Sequence, residues 1–338
     1  MARPKKIGFL SFGAWHPGGG LTHTGGEALR QTVELAVAAE ELGIDGAFVR
    51  VHHFARQLAS PFPLLAAIGA RTSRIEIGTA VIDMRYENPL YMAEEAAAAD
   101  LISDGRLQLG ISRGSPEPAL RGSESFGHVP GDGQSDADLA RAHAELFRAA
   151  IAGAGVARAD TGPDGAPAML AIQPQSPGLP ERIWWGAGTR ATAVWTAEQG
   201  MNLMSSTLLT EDTGVPFHQL QAEQIQRFRD AWTAAGHDRE PRISVSRSIF
   251  PIVNDLDRAY FGQADSQDQV GYLDGGAARF GKTYAGEPDQ LVTDLAGDEA
   301  IAAADTLLLT VPNQLGVDYN AHLVDSVLRH LAPDLGWR

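Results

Sequence analysis

Short apolar runs alternate with amphipathic stretches along almost the whole 338-residue chain. The runs read IGFLSFG (7–13), GAFVRV (46–51), IEIGTAVI (75–82), LQLGIS (107–112), RIWWGA (182–187), NLMSST (202–207), ISVSRSIFPIV (243–253) and TLLLTV (306–311). Most are apolar at consecutive positions, the pattern of strands covered on both faces. Between them, apolar residues recur at helical spacing. Leu29, Val33, Ala36 and Val37 form one stripe, Leu220, Ile225, Phe228 and Trp232 another, and Leu323, Val324, Val327, Leu328 and Leu331 the last. Gly43 stands where the first helix needs a left-handed cap. Eight strand–helix units predict an α/β fold, a (β/α)8 TIM barrel occupying 1–338 as one domain.

Three connections exceed the usual length: 14–26, 154–181 and 256–285. They place long insertions after strands one, four and seven. The first and third leave strand C-termini, the face on which such barrels work, and loops of this length in a compact domain are commonly lids.

The charge narrows the partners. With 27 Lys and Arg against 42 Asp and Glu, the net charge is -15, which argues against nucleic acid or an anionic membrane. An anionic ligand then needs a local pocket of backbone amides and a few arginines. No run reaches the length of a membrane span, the basic start leads straight into a strand, and there is no cysteine. These features predict a cytoplasmic protein without thiolate chemistry.

Four constellations carry candidate chemistry. His52 and His53 end the second strand, where a neutral imidazole suits a general base, although a hydrogen-bonded structural pair fits equally. The spacing is wrong for a barrel metal site, so no metal is expected. Gly78-Thr79-Ala80 in strand three would let a flat ligand approach the backbone, or simply form a tight packing layer. Ser112-Arg113-Gly114-Ser115 ends strand four, with Arg113 placed for a phosphate or for a surface ion pair. Gly186-Ala187-Gly188-Thr189-Arg190-Ala191-Thr192 opens a helix, so free amides, the helix dipole and the hydroxyls of Thr189 and Thr192 face the turn. A common N-capped turn reads the same way. It also matches the dinucleotide pattern G-x-G-x-x-A, with Glu211 near the spacing for a ribose-binding acid. Its place at the fifth of eight strands favours the barrel over a nicotinamide domain.

The stretches AEELGIDGAFVRVHHF (39–54), RTSRIEIGTAV (71–81), SDGRLQLGISRGS (103–115) and WWGAGTRATAVWTAEQG (184–200) resemble the bacterial-luciferase-like family of flavin-dependent monooxygenases. The resemblance implies a homodimeric barrel holding FMN at the strand C-termini, the reduced cofactor arriving from a separate flavin reductase. It implies oxygen activation as a flavin C4a-peroxide that oxidises a small organic substrate. By the same likeness His52 assists catalysis, and Thr79 and Ala80 lie behind the flavin ring near a non-proline cis peptide. Ser112, Arg113, Gly188, Thr189 and Thr192 would hold the cofactor, while Trp15, His16, Asp83 and Trp184 would line the substrate pocket. Val51 and Gly188 replace acids of luciferase and Ser112 replaces its reactive cysteine, so no light emission is expected. A deazaflavin-dependent dehydrogenase and a non-catalytic flavin-binding barrel are the alternatives on the same fold.

Overall fold

Eight parallel strands close into a barrel in the computed structural model, which describes residues 4–114, 119–160, 168–211, 213–264, 267–273 and 276–338. The strands are β1 (Lys6–Ser11), β2 (Gly46–Val49), β3 (Glu76–Asp83), β4 (Leu107–Ser112), β5 (Ile183–Ala187), β6 (Asn202–Ser205), β7 (Ile243–Arg247) and β8 (Thr306–Val311). Each lies beside its neighbour in sequence, and β1 pairs with both β2 and β8 to close the ring. Each of the eight apolar runs contributes one strand to the barrel.

Successive side chains of each strand alternate between two cores. The outward set, including Phe9, Val49, Ile77, Leu109, Trp185, Val245 and Leu307, packs under the helices. The inward set, Leu10, Phe48, Trp184, Met204 and Leu308, forms a separate plug inside the barrel. Trp184 is fully buried there and donates from Nε1 to Gln108 Oε1 at 2.9 Å. Fully burying such side chains contributes about 1.5–3 kcal/mol each.

The helices are α1 (Gly25–Glu41), α2 (Pro61–Arg71), α3 (Pro89–Ile102), α4 (Asp136–Ile151), α5 (Arg190–Glu198), α6 (Phe217–Ala235), α7 (Asp255–Phe261), α8 (Pro288–Ala296), α9 (Glu299–Ala303) and α10 (Gly316–His330). Local sequence sets their starts. Thr24 with Glu27, Ser135 with Asp138 and Asn254 with Asp257 form capping boxes at α1, α4 and α7. Gly43, at φ +86°, follows α1 in the expected left-handed conformation.

Three readings shift. The buried face of α1 is Ala28, Thr32, Leu35, Ala36 and Ala39, and Leu29 is 44% exposed, so the stripe lies one residue out of phase. The run 243–253 breaks after Arg247: Ile249–Pro251 leaves the barrel and pairs with Tyr284–Gly286 in a second small sheet. The connections 154–181 and 256–285 carry structure of their own. Gly155–Ala159 pairs with Ala168–Ala171, and α7 precedes an antiparallel pair, Gln269–Leu273 with Gly276–Phe280, which joins Leu208–Leu209. Among the described residues no helix is long and apolar enough to cross a membrane.

Candidate active site at the barrel mouth

Every strand C-terminus opens onto one end of the barrel, and a cavity of about 150 Å³ lies there. Its wall draws on all eight strands or the turns that follow them. Leu10 comes from β1, Arg50 and Val51 follow β2, and Ala80, Val81 and Asp83 belong to β3. Ser112, Arg113 and Gly114 end β4, and Gly186, Gly188, Thr189 and Thr192 end β5 and begin α5. Met204 and Ser205–Leu208 add β6, Ser244 and Ser246 add β7, Leu308 adds β8, and Ala137 and Arg141 reach in from α4.

The back wall owes its shape to a bulge. Thr79 pairs with Leu109, but the next register partners are Ile82 and Ile111, so one extra residue of β3 is squeezed out of the ladder. The bulge holds Ala80 and Val81, joined by a non-proline cis peptide, one residue beyond the expected position. Thr79 stays in the ladder, fully buried, and its hydroxyl donates to the Gly110 carbonyl at 2.7 Å. Gly186 faces the bulge: a Cβ there would meet Val81 Cγ1 at 3.2 Å and Ser112 Cβ at 3.4 Å. The absence of a side chain at Gly186 lets β5 lie close against the bulge and Ser112.

Beside the bulge, the start of α5 adds hydroxyls and backbone amides to the cavity wall. Thr189 caps α5, accepting from the Thr192 amide at 3.1 Å and donating to the Thr192 hydroxyl at 2.9 Å. Two fully buried glutamines of α6 brace the turn and the adjoining end of β6. Gln224 Nε2 donates to the Ala187 and Thr189 carbonyls at 3.1 and 3.0 Å, while Gln221 Nε2 donates to Ser205 Oγ and the Ser206 carbonyl at 3.0 and 2.8 Å. Arg113 and Arg141 supply the charge, and Arg141 lies 4.8 Å over the Trp195 ring. Arg190 does not join them. It donates to Glu211 at 3.0 and 3.1 Å and to Glu223 at 2.8 Å, so Glu211, the acid a dinucleotide ribose would need, is already engaged.

Asp83 enters the floor as a buried carboxylate held by Arg85, whose Nη2 reaches it at 2.6 Å. Burial alone would weaken the Arg85 charge, but the bonds and charge of Asp83, then of Asp136, hold it more firmly protonated than usual. Gly114, at φ +84°, is required here, because a Cβ would overlap the Asp83 carboxylate. Its amide donates to Ser112 Oγ at 2.8 Å. Behind this group the Glu87 carboxyl is pushed up to about 7 by burial and then by the charges of Glu95 and Asp83.

A family model described as luciferase-like monooxygenase matches residues 8–306. The chain belongs to that family. It is 34% identical over 112 residues to a 4-hydroxyprotoasukamycin monooxygenase of Streptomyces nodosus subsp. asukaensis, covering 31% of this chain and 29% of that one. It is 39% identical over 103 residues to an F420-dependent glucose-6-phosphate dehydrogenase of Kribbella flavida, covering 28% of this chain and 31% of that one. The chain thus spans less than a third of the length of these curated relatives in the matched segments. The crystal structure of monooxygenase RslO1 from Streptomyces bottropensis shares the fold, with a TM-score of 0.72 at 22% identity over 97% of this chain and 99% of that one.

In this luciferase-like chain the cavity gathers Ala80, Asp83, Ser112, Arg113, Gly188, Thr189 and Thr192 from the sequence expectation. It does not gather the rest. His52 lies one residue past Val51, half-buried and outside the lining, with its amide donating to the Leu58 carbonyl at 2.8 Å. His53 is buried, stacked on Tyr86 with ring centroids 4.2 Å apart. Trp184 packs in the barrel plug because strand parity turns it inward and down; Arg242, from the opposite end, sits 4.9 Å over its ring. Trp15 and His16 lie in the loop after β1, outside the lining. Ser115 lies outside the described residues. Sequence reading missed Arg50, Arg141, Ser244, Ser246 and the two bracing glutamines. Ala137 and Arg141 stand four apart on one face of α4, and Gln221 and Gln224 fall within the apolar stripe of α6, a polar intrusion that signals a buried bonding role.

Proposed function

We propose that this protein is a flavin-dependent monooxygenase that uses reduced FMN and molecular oxygen to oxidise a small organic substrate, with FMN reduced by a separate flavin reductase. The observation that carries the reading is the convergence of Arg113, Arg141 and the Thr189–Thr192 turn on one corner of a cavity whose adjoining wall is the flat Ala80–Val81 bulge. The residues fit FMN. Two arginine forks and the capped helix start suit a phosphate dianion, and the cavity wall at Ala80–Val81 suits the face of an aromatic ring. When bound, the reduced flavin supplies two electrons for the reaction with oxygen.

The chain's own part is to hold the cofactor and manage protons. Gln224 fixes the turn that grips the phosphate, and Gln221 fixes the adjoining end of β6. The Gly276–Phe280 strand pairs with Leu208–Leu209, and Leu208 lines the cavity, so this sheet supports the edge of the site. Asp83, held by Arg85 at 2.6 Å, serves to orient groups at the cavity floor. His52 at the rim is the imidazole assigned to proton handling, and two copies of the chain form the working dimer.

Apo-protein titrated with FMN, a deazaflavin and NADPH should bind FMN most tightly, and a reductase supplying reduced FMN should drive oxygen uptake that substrate accelerates. Preference for the deazaflavin with no oxygen uptake would replace this reading by a hydride-transferring dehydrogenase. That second reading is favoured by the 39% identity to an F420-dependent enzyme. Tight flavin retention with no substrate-stimulated turnover would leave a binding protein instead.

A further inference from the structure

We propose that Ser244 and Ser246 form a polar anchor for the organic substrate, which is an uncharged, mostly apolar molecule held by a carbonyl or hydroxyl oxygen. This rests on the flavin reading above.

Strand parity aims both side chains into the barrel. Ser244 is the register partner of Met204 and Ser246 that of Leu308, and both partners belong to the inward plug. Val245, between the two serines, packs outward under the helices. Ser244 is only 2% exposed, yet it lines the cavity, and Ser246 lines it one layer nearer the mouth.

Hydrogen bonding sets these serines apart from others on the wall. Ser112 Oγ accepts from the Gly114 amide, while Ser205 Oγ accepts from Gln221 and donates to Gln224 at 2.6 Å. The hydroxyls of Ser244 and Ser246 have no hydrogen-bond partner among the described residues. A buried hydroxyl of that kind is satisfied by what enters the cavity, water or a ligand atom.

Position and charge identify the ligand. Around the ring β7 lies four strands from β3 in either direction, so the serines look across the mouth at the Ala80–Val81 wall assigned to the flavin face. They stand apart from the phosphate corner on β4, β5 and α4. A second ligand lying over the flavin ring meets them. Every charged residue of the lining comes from β2, β3, β4, the turns after them or α4, and among the described residues the lining from β6, β7 and β8 carries none. Leu10, Met204 and Leu308 add apolar surface beside the serines. A hydroxyl can donate and accept, and without a cation beside it the pair suits a neutral oxygen. A ligand lacking that oxygen would displace water from the serines and leave them unpaired.

The test uses FMN-loaded protein and two pairs of matched shape, acetophenone with α-methylstyrene and 4-methylphenol with p-xylene. Binding is followed by the absorbance change of the bound flavin. At least one oxygen compound should bind about tenfold more tightly than its hydrocarbon, and the pair that responds separates carbonyl from hydroxyl recognition. Ser244→Ala should reduce the preference and the double variant with Ser246→Ala should abolish it, both binding FMN within about twofold of the parent. A merely structural role would weaken both members of a pair alike and leave their ratio unchanged. Oxygen compounds that bind no better than their hydrocarbons overturn the inference, as does a preference that survives in the double variant. Loss of FMN from the double variant overturns it too, by assigning the serines to the cofactor. If the parent takes up no FMN, the flavin reading itself falls and this inference with it.

Discussion

Replacing Glu87 by Gln should remove a pH-dependent burden from the fold just behind the cavity floor. Glu87 is half-buried between β3 and the Asn88 cap of α3, and its carboxyl ionises at about 7 against an ordinary value of 4.5. Burial disfavours the charged form most, and Glu95 and Asp83 add repulsion. The folded chain therefore holds this proton more tightly than the unfolded chain does. Below about 4.5 both states are protonated and the difference costs nothing; as pH rises towards 7 the unfolded chain ionises first and stability drains away; above 7 the full cost stands. At about 1.4 kcal/mol for each tenfold, it reaches roughly 3 kcal/mol at most, reduced by the water the side chain still meets.

Gln has the same shape and no charge to desolvate. Any constant effect of the substitution cancels when the parent and Glu87→Gln are compared across pH, because their other titrating groups are shared. Urea unfolding at steps from pH 4.5 to 8.5 should show the variant gaining on the parent by about 2–3 kcal/mol, mostly between pH 5 and 7. A difference that stays flat within about 0.5 kcal/mol over that window would refute the account of Glu87 as a carboxyl strained by burial and neighbouring charge.

The remaining predictions concern the site. Arg113→Ala and Arg141→Ala should each weaken FMN binding about 10- to 100-fold while leaving riboflavin, which lacks the phosphate, nearly unchanged; equal losses for both ligands would remove the phosphate corner. Gln224→Leu removes one of the hydrogen bonds to each of the Ala187 and Thr189 carbonyls and should cost about 1–3 kcal/mol in unfolding experiments, with weaker FMN binding from a loosened turn. Gly114→Ala drives a methyl into the Asp83 carboxylate at a left-handed position and should lower stability by about 2 kcal/mol or more; a normal unfolding midpoint would contradict the geometry of that turn. His52→Ala should keep FMN binding and lose substrate turnover, measured as oxygen uptake; unchanged uptake would confine His52 to the rim.

The barrel was legible because burial on two faces leaves its mark residue by residue. A strand such as LQLGIS or TLLLTV has few polar positions, and no other element of that length looks alike. Phase was harder. In α1 the face on the barrel is made of small residues, Ala28, Ala36 and Ala39, so the large Leu29 misled the reading by drawing the stripe towards solvent. The break after Arg247 was invisible for another reason: its side chain is buried against Asp298, at 2.8 Å, a partner 51 residues away that no local pattern announces.

The same division runs through the site. Arg113 and the Thr189 turn could be read because strand ends and helix starts are punctuated locally, by Gly114 and by the Gly-x-Gly-Thr run. Arg141 and Arg50 could not, for different physical reasons. Arg141 sits on an exposed amphipathic helix where arginine is ordinary, and only the packing of α4 beside α3 brings it to the mouth. Arg50 stood in plain sight inside an apolar strand, next to a histidine pair that drew the attention. Period-two alternation from the inward Phe48 turns Arg50 into the cavity, while His52 two residues further has left the strand, its amide bonded to the Leu58 carbonyl of the loop instead of a neighbouring strand. A charged residue that interrupts an apolar barrel strand is costly to desolvate, so its place in the run is itself a sign that the strand ends there and opens to the mouth.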